Sequence, residues 1–150
     1  RGLEGLVRQM SQGPETTFIG SVHRHLPVGL YRMKNHNQYN GGIADCWYSG
    51  KHDLWVEYKF LQVPKRDATQ INLCHPNGKM LSALQQDWLR ERHLEGRDVA
   101  VIVGCKDGGA IFLNLEWEVA LTAKQFRERL MSRKDVAAWI TDKTNGRKLC

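Results

Sequence analysis

Glu57 and Lys59 stand two residues apart in DLWVEYKFL, residues 53–61, a stretch otherwise rich in large apolar side chains. Read as a strand, its side chains alternate between two faces. Leu54, Val56, Tyr58 and Phe60 form one apolar row, and Asp53, Trp55, Glu57 and Lys59 share the other. An acid and a base in a segment made for burial need a reason, because a buried charge is costly without a partner. A plain same-face ion pair is one explanation, and Glu-x-Lys alone is a weak signal. Three further polar residues favour chemistry. Asp45 follows a Gly-Gly-Ile-Ala bend at the start of the preceding strand, Glu15 lies inside the apolar stripe of one helix, and Gln85 shares the apolar side of another. If the strands of Asp45 and Glu57 pair, their carboxylates converge at one end of a sheet. Two carboxylates, the Tyr58 carbonyl between Glu57 and Lys59, and water are hard oxygen donors suited to Mg²⁺ or Mn²⁺. Such an ion polarises a phosphoryl oxygen and acidifies water. Lys59 can orient or deprotonate that water, or stabilise charge building on the phosphate. Together these groups suffice to hydrolyse a phosphodiester.

The elements that must position them follow from periodicity. Leu3, Leu6, Val7 and Met10 have helical spacing, ended by Gly13. A second helix is expected over 14–27, with Pro14 at its first position and Phe18, Ile19, Val22 and Leu26 as its stripe. VGLYRMK (28–34), IADCWYSG (43–50) and the opening stretch read as three strands, the last two joined by a turn over 49–52. Residues 62–79 read as a long basic loop, a length that usually carries function or disorder. Helix 82–96 has a capping box in Ser82 and Gln85 and a stop at Gly96, with Leu81, Leu84, Gln85, Trp88 and Arg92 on one face. DVAVIVG reads as a central strand covered on both sides, GGAIFLN as its hairpin partner. Two helices follow, over 122–132 (capping box Thr122 and Gln125) and 135–143, before a polar tail. The expected fold is α/β: a mixed central sheet of about five strands flanked by helices, in one domain over 1–150, its core at 14–115 and C-terminal helices at 116–143.

The bulk properties agree. The 150 residues suffice for one stable core. Lys and Arg number 22 against 16 Asp and Glu, a net charge of +6, which suits a polyanionic partner such as nucleic acid or serves solubility alone. The four cysteines have no paired spacing of the kind zinc sites use, and free thiols fit a reducing, cytoplasmic compartment. No apolar run approaches a membrane span, and no signal peptide is evident.

GIAD (42–45) followed by DLWVEYK resembles the proline-aspartate and acid-x-lysine signature of the PD-(D/E)XK nuclease superfamily, with its restriction-endonuclease-like core. Within it the chain is most similar to the virus-type replication-repair nuclease (VRR-NUC) domain, in its small stand-alone phage form. An acid-bearing helix, the Asp turn, the acid-x-lysine strand, a helix like LSALQQDWLRERHLEG, a strand like RDVAVIVG and a hairpin like GGAIFL match in order over about residues 15–115. Ala44 stands where the pattern prefers Pro, a change in the turn and not in a ligand. The resemblance implies Glu15, Asp45, Glu57 and Lys59 as active-site residues, with Gln85 a fifth. It also implies a structure-specific endonuclease or nickase acting on branched DNA, in the host cytoplasm if viral. Cutting both strands would suit a homodimer.

Other features divide between functional and plain readings. The polar loop Lys34, Asn35, His36, Asn37, Gln38, Tyr39 and Asn40 is either a DNA-backbone and metal-water contact or a solvated loop. Lys51, Lys65, Arg66 and Lys79 either line a phosphate track or sit in solvent. His23 and His25 read as surface residues, and Trp88, Trp117 and Trp139 as core anchors. Trp47 and Trp55 read as packing, with Trp55 also able to flank a base. A nucleic-acid binder that does not cut, and an enzyme acting on RNA or a nucleotide, remain open alternatives.

Overall fold

The computed structural model describes residues 13–35, 41–74 and 80–145. The helix expected around Leu3–Met10, the loop residues His36, Asn37, Gln38, Tyr39 and Asn40, Lys79 and the polar tail from residue 146 lie outside them; Thr144 and Asn145, expected in that tail, continue the last helix.

Helix α1, Pro14–His23, opens on proline at its first turn. It is shorter than the expected 14–27. Pro27 disfavours helical geometry at the residue before it, and the chain closes with tighter bonds from His25 N–H to Val22 and Leu26 N–H to His23. A further turn from Leu30 N–H to Pro27 delays strand β1 to Tyr31–Lys34. Strands β2, Cys46–Ser49, and β3, Asp53–Phe60, complete an antiparallel meander, with Ser49 opposite Asp53 at its tight turn.

The chain then crosses over through α2, Ala83–Leu94, to β5, Val99–Cys105, which runs parallel to β3, and β6, Gly108–Leu113, closes the sheet antiparallel to β5. Between β3 and α2 lies a two-residue strand β4, Gln70–Ile71, paired with β7, Leu121–Thr122. It falls within the stretch expected to be loop, too short to leave any periodicity. A short 3₁₀ turn, Glu116–Glu118, precedes β7, and helices α3, Ala123–Arg129, and α4, Arg133–Asn145, follow. The main sheet has the order β1-β2-β3-β5-β6. This mixed five-stranded sheet flanked by four helices is the expected α/β architecture.

Each face of the sheet has its own core. Helices α1 and α4 pack Phe18, Val22, Val136 and Ile140 against Tyr48, Tyr58 and Ile102. Helices α2 and α3 pack Leu89 and Phe126 against Val101, Val103 and Phe112. Phe18 lies so close to Gly104 and Gly109 that a Cβ at either would meet its ring. Helix α4 thus belongs to the main core, although it lies outside the span of the resemblance. Leu84, expected on the buried face of α2, is 62% exposed, and Leu89 carries the packing instead. No helix among the described residues is long and apolar enough to cross a membrane.

Candidate active site

The β2–β3 register sets Cys46 opposite Val56. One step further along this ladder brings Asp45 to Glu57, at the point where β2 ends. The Tyr58 N–H therefore finds no β2 carbonyl and donates to Asp45 Oδ2 at 2.9 Å. In an antiparallel pair the N–H and C=O of one residue leave on the same side, which turns the Tyr58 carbonyl toward Asp45 as well. The approach to Asp45 is held from both sides. Its own carbonyl accepts the Asn35 N–H at 2.6 Å. The preceding Gly42 has φ +88°, and a Cβ there would strike the Leu84 carbonyl at the start of α2.

Glu57 points to the α2 side of the sheet and is 1% exposed. Lys59 Nζ lies 3.7 Å from its Oε2, and Gln85 Nε2 donates to the same oxygen at 3.2 Å. The Gln85 carboxamide is used at both ends. Its Oε1 accepts the Ser82 N–H at 3.0 Å while its backbone N–H donates to Ser82 Oγ at 3.2 Å. The expected capping box thus aims the amide at Glu57. Among the described residues no donor reaches the other Glu57 oxygen, Oε1, which is buried; a hydrogen bond between the Glu57 and Asp45 carboxyls, which needs a shared proton, adds to the pressure against charging Glu57. An unsatisfied buried acceptor costs about 1–3 kcal/mol or more if charged, so this arrangement is poor for stability alone.

The electrostatics say the same. Burial first, and then the Asp45 carboxylate beside it, push the Glu57 pKa up to about 9, with Lys59 pulling more weakly the other way. Glu15, half-buried in the first turn of α1, is also raised, by burial and then by Asp45, against the pull of Lys59 and Lys34. Helix α1 lies on the opposite face of the sheet from α2, yet its Glu15 is near enough to Asp45 and Lys59 for both to shift its pKa. Three carboxyl groups thus crowd one lysine.

Among the described residues, no group of three or more His, Cys, Asp and Glu side chains is arranged to hold a metal ion. The narrower donor set expected from the sequence, Asp45, Glu57 and the Tyr58 carbonyl, is nevertheless brought together. The buried Glu57 Oε1, which no donor reaches among the described residues, and the adjoining Asp45 carboxylate are hard oxygen donors of the kind a divalent cation would take.

The candidate nucleic-acid contacts are less convergent. Lys34 is exposed on β1, close enough to lower the Glu15 pKa. Asn35 contributes its backbone to Asp45. Lys51 lies at the opposite end of the β2–β3 hairpin, in a cleft with Trp55 and Arg97. Lys65 and Arg66 are exposed in the turns after β3. His36 is outside the described residues.

Two features were missed by sequence reasoning. His23, expected at the surface, is half-buried, and its Nε2 lies 2.7 Å from the Tyr48 hydroxyl, which lies 2.6 Å from the Tyr58 hydroxyl. Burial, then Arg32 and Lys34, lower the His23 pKa to about 4. This chain runs behind the carboxylates and holds the Tyr58 side chain. Its only trace in the sequence is the Tyr at positions 48 and 58, each on the apolar face of its strand. The second is a row of aromatic rings on the Glu57 face, described below.

No family model matches the sequence, and no curated protein matches it. Among solved structures the chain is similar to Hjc from Archaeoglobus fulgidus, a Holliday junction resolvase from an archaeal hyperthermophile, with 14% identity and a TM-score of 0.47 over 82% of this chain and 99% of that one. A likeness of that size adds nothing to what the side chains themselves say.

Proposed function

We propose that the chain is a divalent-metal-dependent nuclease that hydrolyses phosphodiester bonds in DNA. One observation carries the reading: a fully buried Glu57 carboxyl, one oxygen of which no donor reaches among the described residues, set beside Asp45 and a lysine. Asp45, Glu57 and the Tyr58 carbonyl are the residues that would hold Mg²⁺ or Mn²⁺. When bound, the ion supplies Lewis-acid polarisation of the phosphoryl group. Lys59 directs its ammonium toward the same space, where it orients the attacking water and faces negative charge growing on the phosphate. Gln85 fixes the Glu57 carboxylate through Oε2, leaving Oε1 available. Glu15 positions Lys59 electrostatically.

The finer reading rests on the resemblance in the sequence: a PD-(D/E)XK enzyme of the VRR-NUC type, in its phage form, a structure-specific endonuclease or nickase acting on branched DNA as a homodimer. The free thiols of Cys46, Cys74 and Cys105 fit work in a reducing cytoplasm.

The test is incubation with linear, flapped and four-way DNA, and with RNA of matching shape, in Mg²⁺, Mn²⁺ or chelator. Cutting of branched DNA that stops in chelator and in Asp45→Ala supports the proposal. Cutting of RNA alone would move the substrate. Metal-independent binding with no cutting of any substrate would leave a binding protein.

A further inference from the structure

The face of the sheet that carries Glu57 also carries a row of aromatic rings. Tyr31 on β1 meets Trp47 on β2 edge-on at 5.4 Å, Trp47 stacks on Trp55 of β3 at 5.7 Å and 15°, and Trp55 meets Trp88 of α2 edge-on at 5.4 Å. The row arises from register: Met33 is opposite Trp47 and Trp47 opposite Trp55, so alternate residues of three strands share one side. Helix α2 covers this side only as far as β3. Beyond it the outer end is open, with Tyr31 55% and Met33 41% exposed, while Trp47, Trp55 and Trp88 are half-buried. Trp55 precedes Glu57 by two residues on the same face, which separates ring and carboxylate by about 7 Å along the strand.

The Trp47 indole Nε1 is buried and has no hydrogen-bond partner among the described residues. Charge of both signs borders the row at its inner end. The Arg92 guanidinium lies 5.5 Å from the Trp88 ring and is ion-paired to Glu91 and Glu95, and Trp55 shares a cleft of about 300 Å³ with Lys51, Arg97, Asp53 and Asp98. Aromatic faces of this kind match the bases of an unpaired strand.

Resting on the nuclease reading of the Asp45–Glu57 site, we propose that Tyr31, Trp47 and Trp55 form a stacking platform for unpaired bases of the strand being cut. The substrate class is then DNA with a single-stranded segment next to the scissile phosphate. The platform holds that segment by its base faces, so it is tolerant of sequence.

The test is fluorescence anisotropy of labelled oligothymidylate against the full chain in chelator, where nothing is cut, with a blunt duplex as comparison. Tyr31→Ala and Trp47→Leu should each weaken oligothymidylate binding by about tenfold. Tyr31→Phe should retain it, blunt-duplex binding should change little, and the loss should persist at high salt because stacking is not ionic. Thermal melting confirms that each variant folds; Tyr31 is exposed enough that its removal leaves the core untouched. Unchanged oligothymidylate affinity in folded Tyr31→Ala and Trp47→Leu overturns the platform. So does a change in oligomeric state in Tyr31→Ala without a change in binding, which would assign the row to a second copy of the chain. A protein that binds oligothymidylate through these rings but cuts nothing keeps the platform and loses the nuclease reading. One that cuts with all row variants alike keeps the nuclease and loses the platform.

Discussion

Strands β3 and β5 lie side by side and parallel at the centre of one sheet, yet they are made differently. Every residue of β5 is buried and none is ionisable except Cys105 at its end. In β3 the row facing α1 and α4 carries no acid or base, and its one polar atom there, the Tyr58 hydroxyl, is hydrogen-bonded to Tyr48. On the other face Glu57 stands opposite Val101 and Lys59 opposite Val103. At equal depth one strand presents hydrocarbon and the other an acid and a base. Hydrocarbon stabilises unconditionally. A carboxyl that is 1% exposed, with one lysine at 3.7 Å and one oxygen that no donor reaches among the described residues, is costly to charge until further positive charge joins it. On the proposed reading, the pair of strands separates a position kept for folding from one kept for chemistry.

Substitutions on the two strands should therefore fail in opposite ways. The largest effect is expected on β3 and its partner Asp45. Glu57→Ala or Asp45→Ala should lower DNA cutting by roughly a thousandfold or more, the loss of several kcal/mol of transition-state stabilisation. Binding to DNA in chelator should be nearly unchanged in filter or anisotropy assays. Lys59→Ala should cost about a hundredfold or more in single-turnover cutting, the usual range for a proton-transfer or orienting group. Val101→Ala, on the neighbouring strand, should leave the cutting rate per folded molecule intact and lower unfolding stability by about 1–3 kcal/mol in denaturant titration.

The contrast extends to pH. In the folded, metal-free protein Glu57 keeps its proton up to about 9, whereas in the unfolded chain it loses it near the ordinary 4.5. Between those values Glu57 holds a proton in the folded state alone, but up to about 6.5 the buried His23, lowered to about 4, offsets this by holding one in the unfolded state alone, so stability falls as pH rises through the window from about 6.5 to about 9. Melting temperature measured across it should decline in the wild type, decline less in Glu57→Gln, and keep the wild-type slope in Val101→Ala. Mn²⁺ should flatten the wild-type slope. The smallest effect belongs to Gln85. Gln85→Ala should reduce cutting by about tenfold through loss of one hydrogen bond to Glu57, and lower stability by about 1 kcal/mol through loss of the helix cap.

The site was legible in the sequence where local rules met. Alternation put Glu57 and Lys59 on one face, the Gly-Gly bend placed Asp45 at a strand start, and Ser82 with Gln85 announced a helix cap whose amide then falls on Glu57. What escaped depends on partners far away in the chain. His23 is buried because Tyr48, 25 residues on, offers a hydroxyl. The two-residue strands β4 and β7 exist only as a pair separated by some fifty residues. Leu84 is exposed because α2 turns Leu89 to the core instead, an orientation set by packing on β5 and not by the helix pattern. The aromatic row needed three strands in register before Tyr31 and Trp88 could be seen as neighbours. Lys51 was grouped with Lys65 and Arg66 by charge, and the fold places it in a different region, at the far end of the hairpin.

The central claim is that Asp45 and Glu57 together hold a divalent ion. Calorimetric titration of Mn²⁺ into the metal-free protein at neutral pH tests it without DNA or turnover. The account predicts saturable binding accompanied by proton release, as Glu57 gives up its proton to the ion. Both signals should be lost in Asp45→Asn and in Glu57→Gln and kept in Val101→Ala. Saturable binding that survives unchanged in the two carboxylate variants, or a folded wild type that binds no Mn²⁺, would contradict it.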